Sequence, residues 1–260
     1  MYNPGQPALA KPPERLIFRK TPMPRFTLLP AATFDLDHRD WAANEQQLID
    51  ASVRQQGGVA LVHSGRDGIV VPRSYRHKPG FADACAALAA DGLPVHIRLS
   101  GGGVVPQSPA TVNLQLAYPA HAAHPAAAAE AHYRHLCALL QKLFAAFAIP
   151  TDYQSVPGSF CDGRFNLASG GRKIAGTAQY WQRRGAPQQH TVLASAVILA
   201  ADAAMLTARA NRLEAALHSP QRYRPDSTTA IADYAAVNAE AVAATLRALL
   251  QNGAATWPEG

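Results

Sequence analysis

The chain has 260 residues, of which 48% are hydrophobic and 16% charged, and its formal net charge is +6. This composition excludes a disordered chain and is typical of one globular domain, with or without a small appendage. No apolar run is long enough to span a membrane and no secretory signal is recognisable, so we expect a cytoplasmic location and no membrane partner. The basic residues are dispersed, which argues against nucleic acid as a partner and is compatible with an acidic protein.

The first residues are rich in proline, which excludes regular structure there. These prolines are Pro4, Pro7, Pro12, Pro13, Pro22 and Pro24. We therefore predict an irregular arm over residues 1–24 and a single domain over residues 25–260.

The N-terminal half is predicted to alternate between strands and helices. Apolar runs bounded by Gly, Pro and polar residues predict strands over residues 26–29, 59–63, 68–71, 94–99 and 112–118. Helical spacing predicts one helix over residues 41–56, with Asp40 as its N-cap and Gly57-Gly58 at its end, and another over residues 81–90. We expect a turn at residues 65–67 to join the second and third strands. The alternation in the last strand predicts that only one of its faces is buried.

The C-terminal half contains the clearest helical pattern, over residues 125–148. Its apolar stripe consists of Tyr133, Leu136, Leu140, Leu143, Phe144 and Phe147. Two short strands around Gly170-Gly171 and a strand over residues 189–200 follow. We predict a helix from Asp202 to about residue 208, an irregular segment over 209–227, and a last helix over 235–251. Together these elements predict an α+β fold, a mixed and mostly antiparallel sheet built from hairpins, with helices packed on one face.

Cys161 is the first candidate for chemistry. It lies in a loop that contains Pro157, Gly158 and Gly163. A free cysteine is commonly a small buried hydrophobe, which is our interpretation of Cys85 and Cys137 in their Ala/Leu-rich helices. A reactive thiolate needs access and nearby positive charge, and the Gly/Pro loop favours access. The residues alone leave both interpretations of Cys161 open, and three cysteines do not indicate a disulfide framework.

Lys173 follows the Gly170-Gly171 turn and is the candidate cation. It is either a solvated edge-strand lysine or a charge that lowers the pKa of a thiol and stabilises an acyl oxyanion. A two-residue hairpin pairs Lys173 with Ala168 and places Cys161 on the other face. The thiol and the ammonium therefore meet only if residues 157–163 fold back as a loop.

The stretch Ser100-Gly101-Gly102-Gly103 is a second candidate. It is either a tight turn or a backbone that a carbonyl or phosphate approaches closely, and Arg98 before it can pair with an anion. The stretch matches neither of the common nucleotide-binding glycine patterns. His190 is either a surface histidine or a base for Cys161. No spacing typical of metal ligands is present, so we predict no metal site.

Two motifs resemble the lipoate–protein ligase / octanoyltransferase family, which shares its catalytic fold with biotin–protein ligases. They are IRLSGGGVV at residues 97–105 and GRKIAGTAQ at residues 171–179. WAANEQQL at residues 41–48 resembles the N-terminal helix of the family more loosely, and the resemblance covers about residues 26–200. It implies a biotin/lipoate protein ligase-like fold. It also implies substrate-binding roles for Arg98, Ser100, Gly101, Gly102, Gly103, Asn166, Gly176, Thr177, Ala178 and His190.

The segment GSFCDGRFNL at residues 158–167 is most similar to the octanoyl amidotransferases of that family. The resemblance implies that Cys161 and Lys173 are catalytic and that an octanoyl or lipoyl group passes through a Cys161 thioester. It implies an octanoyl- or lipoyl-bearing carrier protein as donor and a lysine of a lipoyl-domain protein as acceptor, without a cofactor. The acyl tail is expected in an apolar tunnel between the glycine loop and the sheet.

Two alternatives remain open. In an ATP-dependent lipoate–protein ligase, ATP and magnesium are required and Arg98 and Lys173 bind the acyl-adenylate. The other alternative is a family member that binds lipoyl domains or acyl groups without turnover. The chain also departs from the family, with Asp162 where amidotransferases tend to have Pro, Asn166 where Asp is common, and residues 106–109 in place of the His-Asp of ligases.

Overall fold

The computed structural model of the chain describes residues 26–36 and 41–253. The predicted arm over residues 1–24 and the predicted N-cap Asp40 lie outside the described residues. The strands are β1 (Thr27–Leu28), β2 (Val59–Ser64), β3 (Gly68–Pro72), β4 (Val95–Arg98), β5 (Val105–Gln107), β6 (Thr111–His121), β7 (Asp152–Tyr153), β8 (Leu167–Ser169), β9 (Arg172–Arg183) and β10 (Gln189–Leu199). The α-helices are α1 (Trp41–Gln55), α2 (Phe81–Ala90), α3 (Pro125–Ala145), α4 (Ala203–Ala216) and α5 (Ala239–Gln251).

The described strands form two sheets. The larger sheet has seven strands in the order β1-β2-β6-β10-β9-β8-β7, and only the β1–β2 pair in it is parallel. The smaller sheet has the order β4-β3-β5, with β3 parallel to β4 and antiparallel to β5. This mixed, mostly antiparallel arrangement confirms the predicted α+β class.

The prediction that helices cover one face of the sheet is wrong, because both faces of the large sheet are buried. Helices α3 and α5 pack against one face, where β6 contributes Leu114 and Leu116. Helix α1 packs against the other face, where β2 and β6 contribute Leu61 and Ala117. Strand β6 is therefore buried on both faces over residues 111–118, rather than on one face as its alternation predicted.

The turn at residues 65–67 does not join two strands of one sheet. β2 already pairs with β1 on one side and with β6 on the other, so it has no free edge for β3. The chain instead leaves the large sheet at Gly65, whose N–H donates to the carbonyl of Thr111, and β3 begins the small sheet. A Cβ at Gly65 would lie 2.2 Å from the Thr111 hydroxyl, so this exit requires glycine.

Two predicted helix boundaries near the C-terminus also differ. Helix α4 continues to Ala216, because Ala210 and Leu213 pack into the core that α4 shares with the small sheet. Helix α5 begins at Ala239, where the side chain of Asn238 accepts a hydrogen bond from the N–H of Ala241. Among the described residues no helix is both long and apolar enough to cross a membrane.

Candidate active site

A pocket lies between the large sheet, helix α1 and the glycine loop of residues 100–103. A concave site with several polar groups is the usual place for a ligand to bind. The lining residues are Trp41, Glu45, Val70, Arg98, Ser100, Val105, Gln107, Asn113, Gln115, Cys161, Lys173, Gly176, Thr177, Ala178, Ser195, Ala196 and Val197.

Strands β9, β10 and β6 form the side of this pocket that we call the floor. Their register aligns two rows of residues across the three strands. One row is Gly176, Val197 and Asn113, and the next is Ala178, Ser195 and Gln115. Side chains opposite each other in a sheet share a face, so both rows face the pocket.

The loop over residues 157–163 folds back onto β9, which is the condition for Cys161 and Lys173 to meet. The Lys173 ammonium donates hydrogen bonds to the carbonyls of Phe160, at 2.6 Å, and of Cys161, at 3.1 Å. Ala168 pairs with Lys173 as predicted, but a register shift follows between Leu167 and Ala168. The strict register that separated the thiol from the ammonium therefore does not continue to Cys161.

Lys173 is fully buried, and its surroundings change its pKa. Burial lowers the pKa of Lys173 from 10.5 to about 8, and the Arg98 guanidinium acts in the same direction. The nearby Cys161 and Asp162 raise it and partly offset that effect. A lysine with such a pKa can give up and recover a proton near neutral pH.

Cys161 has a left-handed backbone conformation with φ of 48°, which is rare for a residue with a side chain. Neighbouring side chains hold the loop in this conformation. The Asp162 carboxylate accepts hydrogen bonds from the N–H of Val156, at 2.7 Å, and from the Ser155 hydroxyl, at 2.9 Å. The Asn166 side chain donates to the carbonyl of Cys161 at 3.1 Å. Strained backbone held in this way is common at active sites.

The glycine loop contacts the thiol directly. The N–H of Gly103 donates to the Cys161 sulfur at 3.2 Å. Gly102 has φ of 107°, and a Cβ there would lie 3.0 Å from the same sulfur. Glycine is therefore required at position 102 by both conformation and space.

Arg98 holds the glycine loop in place. Its guanidinium donates to the carbonyls of Gly101 and Gly103, each at 2.8 Å, and to the carbonyl of Val70 at 3.0 Å. These bonds use its terminal nitrogens, while its Nε is buried and has no hydrogen-bond partner. The terminal nitrogens of Arg98 therefore bind main-chain carbonyls and are not free to bind an anion.

The sequence analysis did not single out Glu45, which lines the pocket and is only 1% exposed. Its carboxylate accepts the N–H of Leu99 at 2.5 Å and the indole N–H of Trp41 at 3.2 Å. Burial raises the pKa of Glu45 to about 7. The sequence does contain a feature that could have identified Glu45. It lies between Trp41 and Leu48 on an apolar face of α1, where an acidic side chain is unusual.

The polar residues of β6 were also missed as pocket residues. Asn113 and Gln115 were attributed to a solvent-facing side of the strand, yet each is 3% exposed and faces the pocket. Asn113 exchanges hydrogen bonds with the side-chain amide of Gln107, which is also buried. The tunnel expected to be apolar is therefore mixed, with apolar walls and several buried amides and hydroxyls.

His190 is not brought to Cys161. It lies near the start of β10, five residues before Ser195, which is roughly 16 Å along an extended strand. Its ring packs against Trp181, and it lines a separate groove with Arg184. Of the two interpretations of His190, a base for Cys161 therefore does not fit its position, and its implied substrate-binding role stays a prediction.

The other cysteines do not contribute to the pocket. Cys137 is buried in α3, and burial raises the pKa of its thiol to about 12. Cys85 is half-buried in α2, and burial raises the pKa of its thiol as well. Within residues 26–36 and 41–253 no group of three or more His, Cys, Asp and Glu residues is arranged to hold a metal ion.

Known proteins are similar to this chain in sequence. The family model described as "Lipoyl protein ligase A/B catalytic domain" matches residues 75–251. An uncharacterized protein of Cupriavidus necator is 41% identical over 209 residues, which cover 76% of this chain and 82% of that protein. An octanoyl-GcvH:protein N-octanoyltransferase of Kyrpidia tusciae is 39% identical over 92 residues, which cover 35% of this chain and 31% of that enzyme.

Two solved structures have a similar fold. A lipoate-protein ligase A bound with ATP has a TM-score of 0.60 at 13% identity, covering 92% of this chain and 88% of that one. The bi-partite lipoate protein ligase of Thermoplasma acidophilum has a TM-score of 0.57 at 14% identity, covering 92% of this chain and 87% of that one. These likenesses confirm the fold that the two sequence motifs predicted.

Proposed function

The chain belongs to the lipoyl protein ligase A/B catalytic domain family, and from this premise we propose that it transfers an octanoyl or lipoyl group through a Cys161 thioester. The acceptor is a lysine of a lipoyl-domain carrier protein. The observation that supports the proposal most strongly is the contact of the Cys161 sulfur with the N–H of Gly103, while Lys173 donates to the carbonyl of the same cysteine. The partial similarity to an octanoyl-GcvH:protein N-octanoyltransferase supports the same chemistry.

In the first step the Cys161 sulfur attacks the acyl carbonyl carbon of an acyl-lysine amide on the donor protein. A carbon–sulfur bond forms, the carbon–nitrogen bond breaks, and the donor lysine leaves as an amine. The thiol proton passes to Lys173 and then to the departing amine. The pKa of about 8 at Lys173 suits this exchange, because both of its protonation states are accessible near neutral pH.

The negative charge that develops on the acyl oxygen needs hydrogen-bond donors beside the reacting carbon. The N–H of Gly103 lies 3.2 Å from the sulfur that bonds to that carbon, and protonated Lys173 adds a positive charge. Arg98 keeps the carbonyls on either side of this N–H in place. Donors fixed before the reaction stabilise such an oxyanion without a reorganisation cost.

In the second step the acceptor lysine amine attacks the thioester and restores the thiol. Its surplus proton returns to Cys161 by way of Lys173. Covalent catalysis of this kind divides one difficult amide exchange into two easier steps. Two similar proteins suggest the partner class, since one is an octanoyl-GcvH:protein N-octanoyltransferase and the other is a ligase studied with its E2 lipoyl domain.

The second candidate is an ATP-dependent lipoate–protein ligase, and the structural likeness to an ATP-bound ligase keeps it in consideration. A ligase needs cations free to bind the acyl-adenylate. Arg98 instead donates to three main-chain carbonyls. This use of its guanidinium favours the transferase, in which Arg98 only holds the glycine loop.

Acyl transfer to a lipoyl domain, measured with and without ATP and magnesium, separates the candidates. Transfer from an octanoylated donor protein that is indifferent to ATP supports the transferase. Transfer from free acid that requires ATP supports the ligase. Binding of lipoyl domains without transfer under either condition supports a non-catalytic role.

A further inference from the structure

We propose that the pocket prefers an acyl group whose distal end carries a neutral hydrogen-bonding group over one that ends in plain hydrocarbon. This inference rests on the proposed function, because it assumes that the acyl carbonyl lies beside Cys161 and Lys173. It concerns the opposite end of the same pocket, where Gln115 and Ser195 lie on the floor.

The distance along the floor matches a medium-length acyl chain. Gly176 lies against the Lys173 ammonium, since a Cβ at Gly176 would be 3.1 Å from the nitrogen. From Gly176, Ser195 is one strand across and one row along, which is roughly 8 Å, and Gln115 is two strands across, roughly 12 Å. An extended chain of eight carbons spans roughly 8 Å. Its distal atoms therefore reach the row that contains Ser195 and Gln115.

This row holds polar groups that have no partner of their own. Gln115 is 3% exposed, and its side-chain amide makes no hydrogen bond to any residue that the structure describes. The Ser195 hydroxyl, its neighbour across the sheet, is buried without a hydrogen-bond partner, and so is the Ser100 hydroxyl on the glycine loop. Buried polar groups are nearly always hydrogen-bonded, so partnerless groups lining one pocket point to a ligand that bonds them.

The pocket also has apolar walls. They include Val70, Val105 and Val197. Ligand pockets commonly combine an apolar wall with a few polar groups that confer specificity. The lining therefore fits a hydrocarbon stem followed by a polar tail group.

The available groups favour a neutral tail. A side-chain amide and a hydroxyl both donate and accept hydrogen bonds, so Gln115 and Ser195 match a hydroxyl, amide or urea. The two ionisable groups nearby are already engaged, because Glu45 accepts two hydrogen bonds and Arg98 donates to three carbonyls. A charged tail would find no free counter-charge among these residues.

A plain hydrocarbon tail would seal the amide of Gln115 from water without replacing its hydrogen bonds. Such a burial weakens binding by roughly ten- to a hundredfold relative to a ligand that bonds the same group. Replacing Gln115 by an apolar residue of similar size removes this penalty. It is expected to reverse the preference between the two kinds of tail.

The test measures binding of free octanoic acid and 8-hydroxyoctanoic acid to the intact wild-type protein by isothermal titration calorimetry. Neither an acylated donor protein nor an acceptor protein is present, so no acyl transfer occurs. The same two titrations are repeated with Gln115→Leu and Ser195→Ala. The matched control is Gln182→Leu, because Gln182 is a half-buried glutamine of β9 that bonds Gln46 and does not line the pocket.

The inference predicts that the hydroxy acid binds at least tenfold more tightly to the wild type and to Gln182→Leu. It predicts that Gln115→Leu loses or reverses this difference and that Ser195→Ala reduces it. Equal or tighter binding of octanoic acid by the wild type would overturn the inference and leave the proposed function standing. If neither acid binds while the protein still forms an acyl adduct at Cys161 from an octanoylated carrier protein, the inference fails and the proposed function stands. If neither acid binds and no adduct forms, both proposals fail.

Discussion

The Lys173 ammonium lies 3.1 Å from the carbonyl oxygen of Cys161, and its other bond goes to the carbonyl of Phe160. Lys173 thus fixes the backbone of the loop over residues 157–163, which carries Cys161, and also supplies a positive charge. Because these bonds end on main-chain atoms, a change in Lys173 alters both the position of the thiol and the electrostatics around it.

The glycine loop provides a matched pair of substitutions. In Gly102→Ala the new methyl group meets the Cys161 sulfur at 3.0 Å and the backbone keeps a positive φ. The conformational cost alone corresponds to roughly a tenfold loss of activity. In Gly101→Ala nothing lies within 4 Å of the new methyl group, so this variant is the control. The rate of Cys161 acylation should fall in the first variant and stay near the wild-type value in the second.

Asp162 acts as a positioning residue for the thiol. Asp162→Ala removes the acceptor for Val156 and Ser155, which frees the loop that carries Cys161. We expect alkylation of Cys161 and acyl transfer to slow by roughly 10- to 100-fold, since small misplacements of reacting groups have effects of this size. Asp162→Asn keeps one acceptor oxygen and should recover part of the rate.

The control for Asp162 is Asp91→Ala, which removes a carboxylate paired with Arg212 on the surface. It should leave both rates unchanged. Full activity of Asp162→Ala would show that the loop is held by Asn166 and Lys173 alone.

Lys173 should give stability a specific dependence on pH. The pKa of Lys173 is lowered from 10.5 in the unfolded chain to about 8 in the folded one. Between these values the unfolded chain binds more protons, so the free energy of unfolding rises with pH, by up to about 3 kcal/mol in this window. The raised pKa of the Cys137 thiol makes stability fall with pH above 9 in both proteins, so the Lys173 contribution is read as a difference. Denaturant unfolding at a series of pH values should give the wild type a more positive slope than Lys173→Met.

The two proteins are compared by the slope of the free energy of unfolding with pH and not by its absolute value. The absolute value also changes because Lys173→Met leaves the carbonyls of Phe160 and Cys161 without their donor. Parallel pH dependences in the two proteins would contradict the lowered pKa. Lys173→Met should also lose acyl transfer at every pH.

Local patterns predicted much of the fold. The end of α1, the ends of α2 and the Gly170-Gly171 turn were identified from glycines, which adopt backbone conformations that other residues avoid. The placement of helices on both faces could not be predicted, because it depends on which helix covers Asn113 and Gln115, and their polarity suggested solvent.

The candidate site was predicted in part. The motifs identified Cys161, Lys173 and the glycine loop, which the structure brings together. Glu45 and Gln115 were missed because a buried polar side chain looks like a surface residue until the covering element is known. His190 was included because the family resemblance implied a histidine there, but the extended strand β10 carries it away from the thiol.

The central claim is that Cys161 carries the acyl group. Intact-mass spectrometry of the protein incubated with an octanoylated carrier protein, without ATP, tests it directly beside Cys161→Ser. We predict a mass increase of one octanoyl group that hydroxylamine removes and that the variant lacks. Unchanged mass with every donor, together with carrier lipoylation once free lipoate and ATP are supplied, would contradict the account and identify an ATP-dependent ligase.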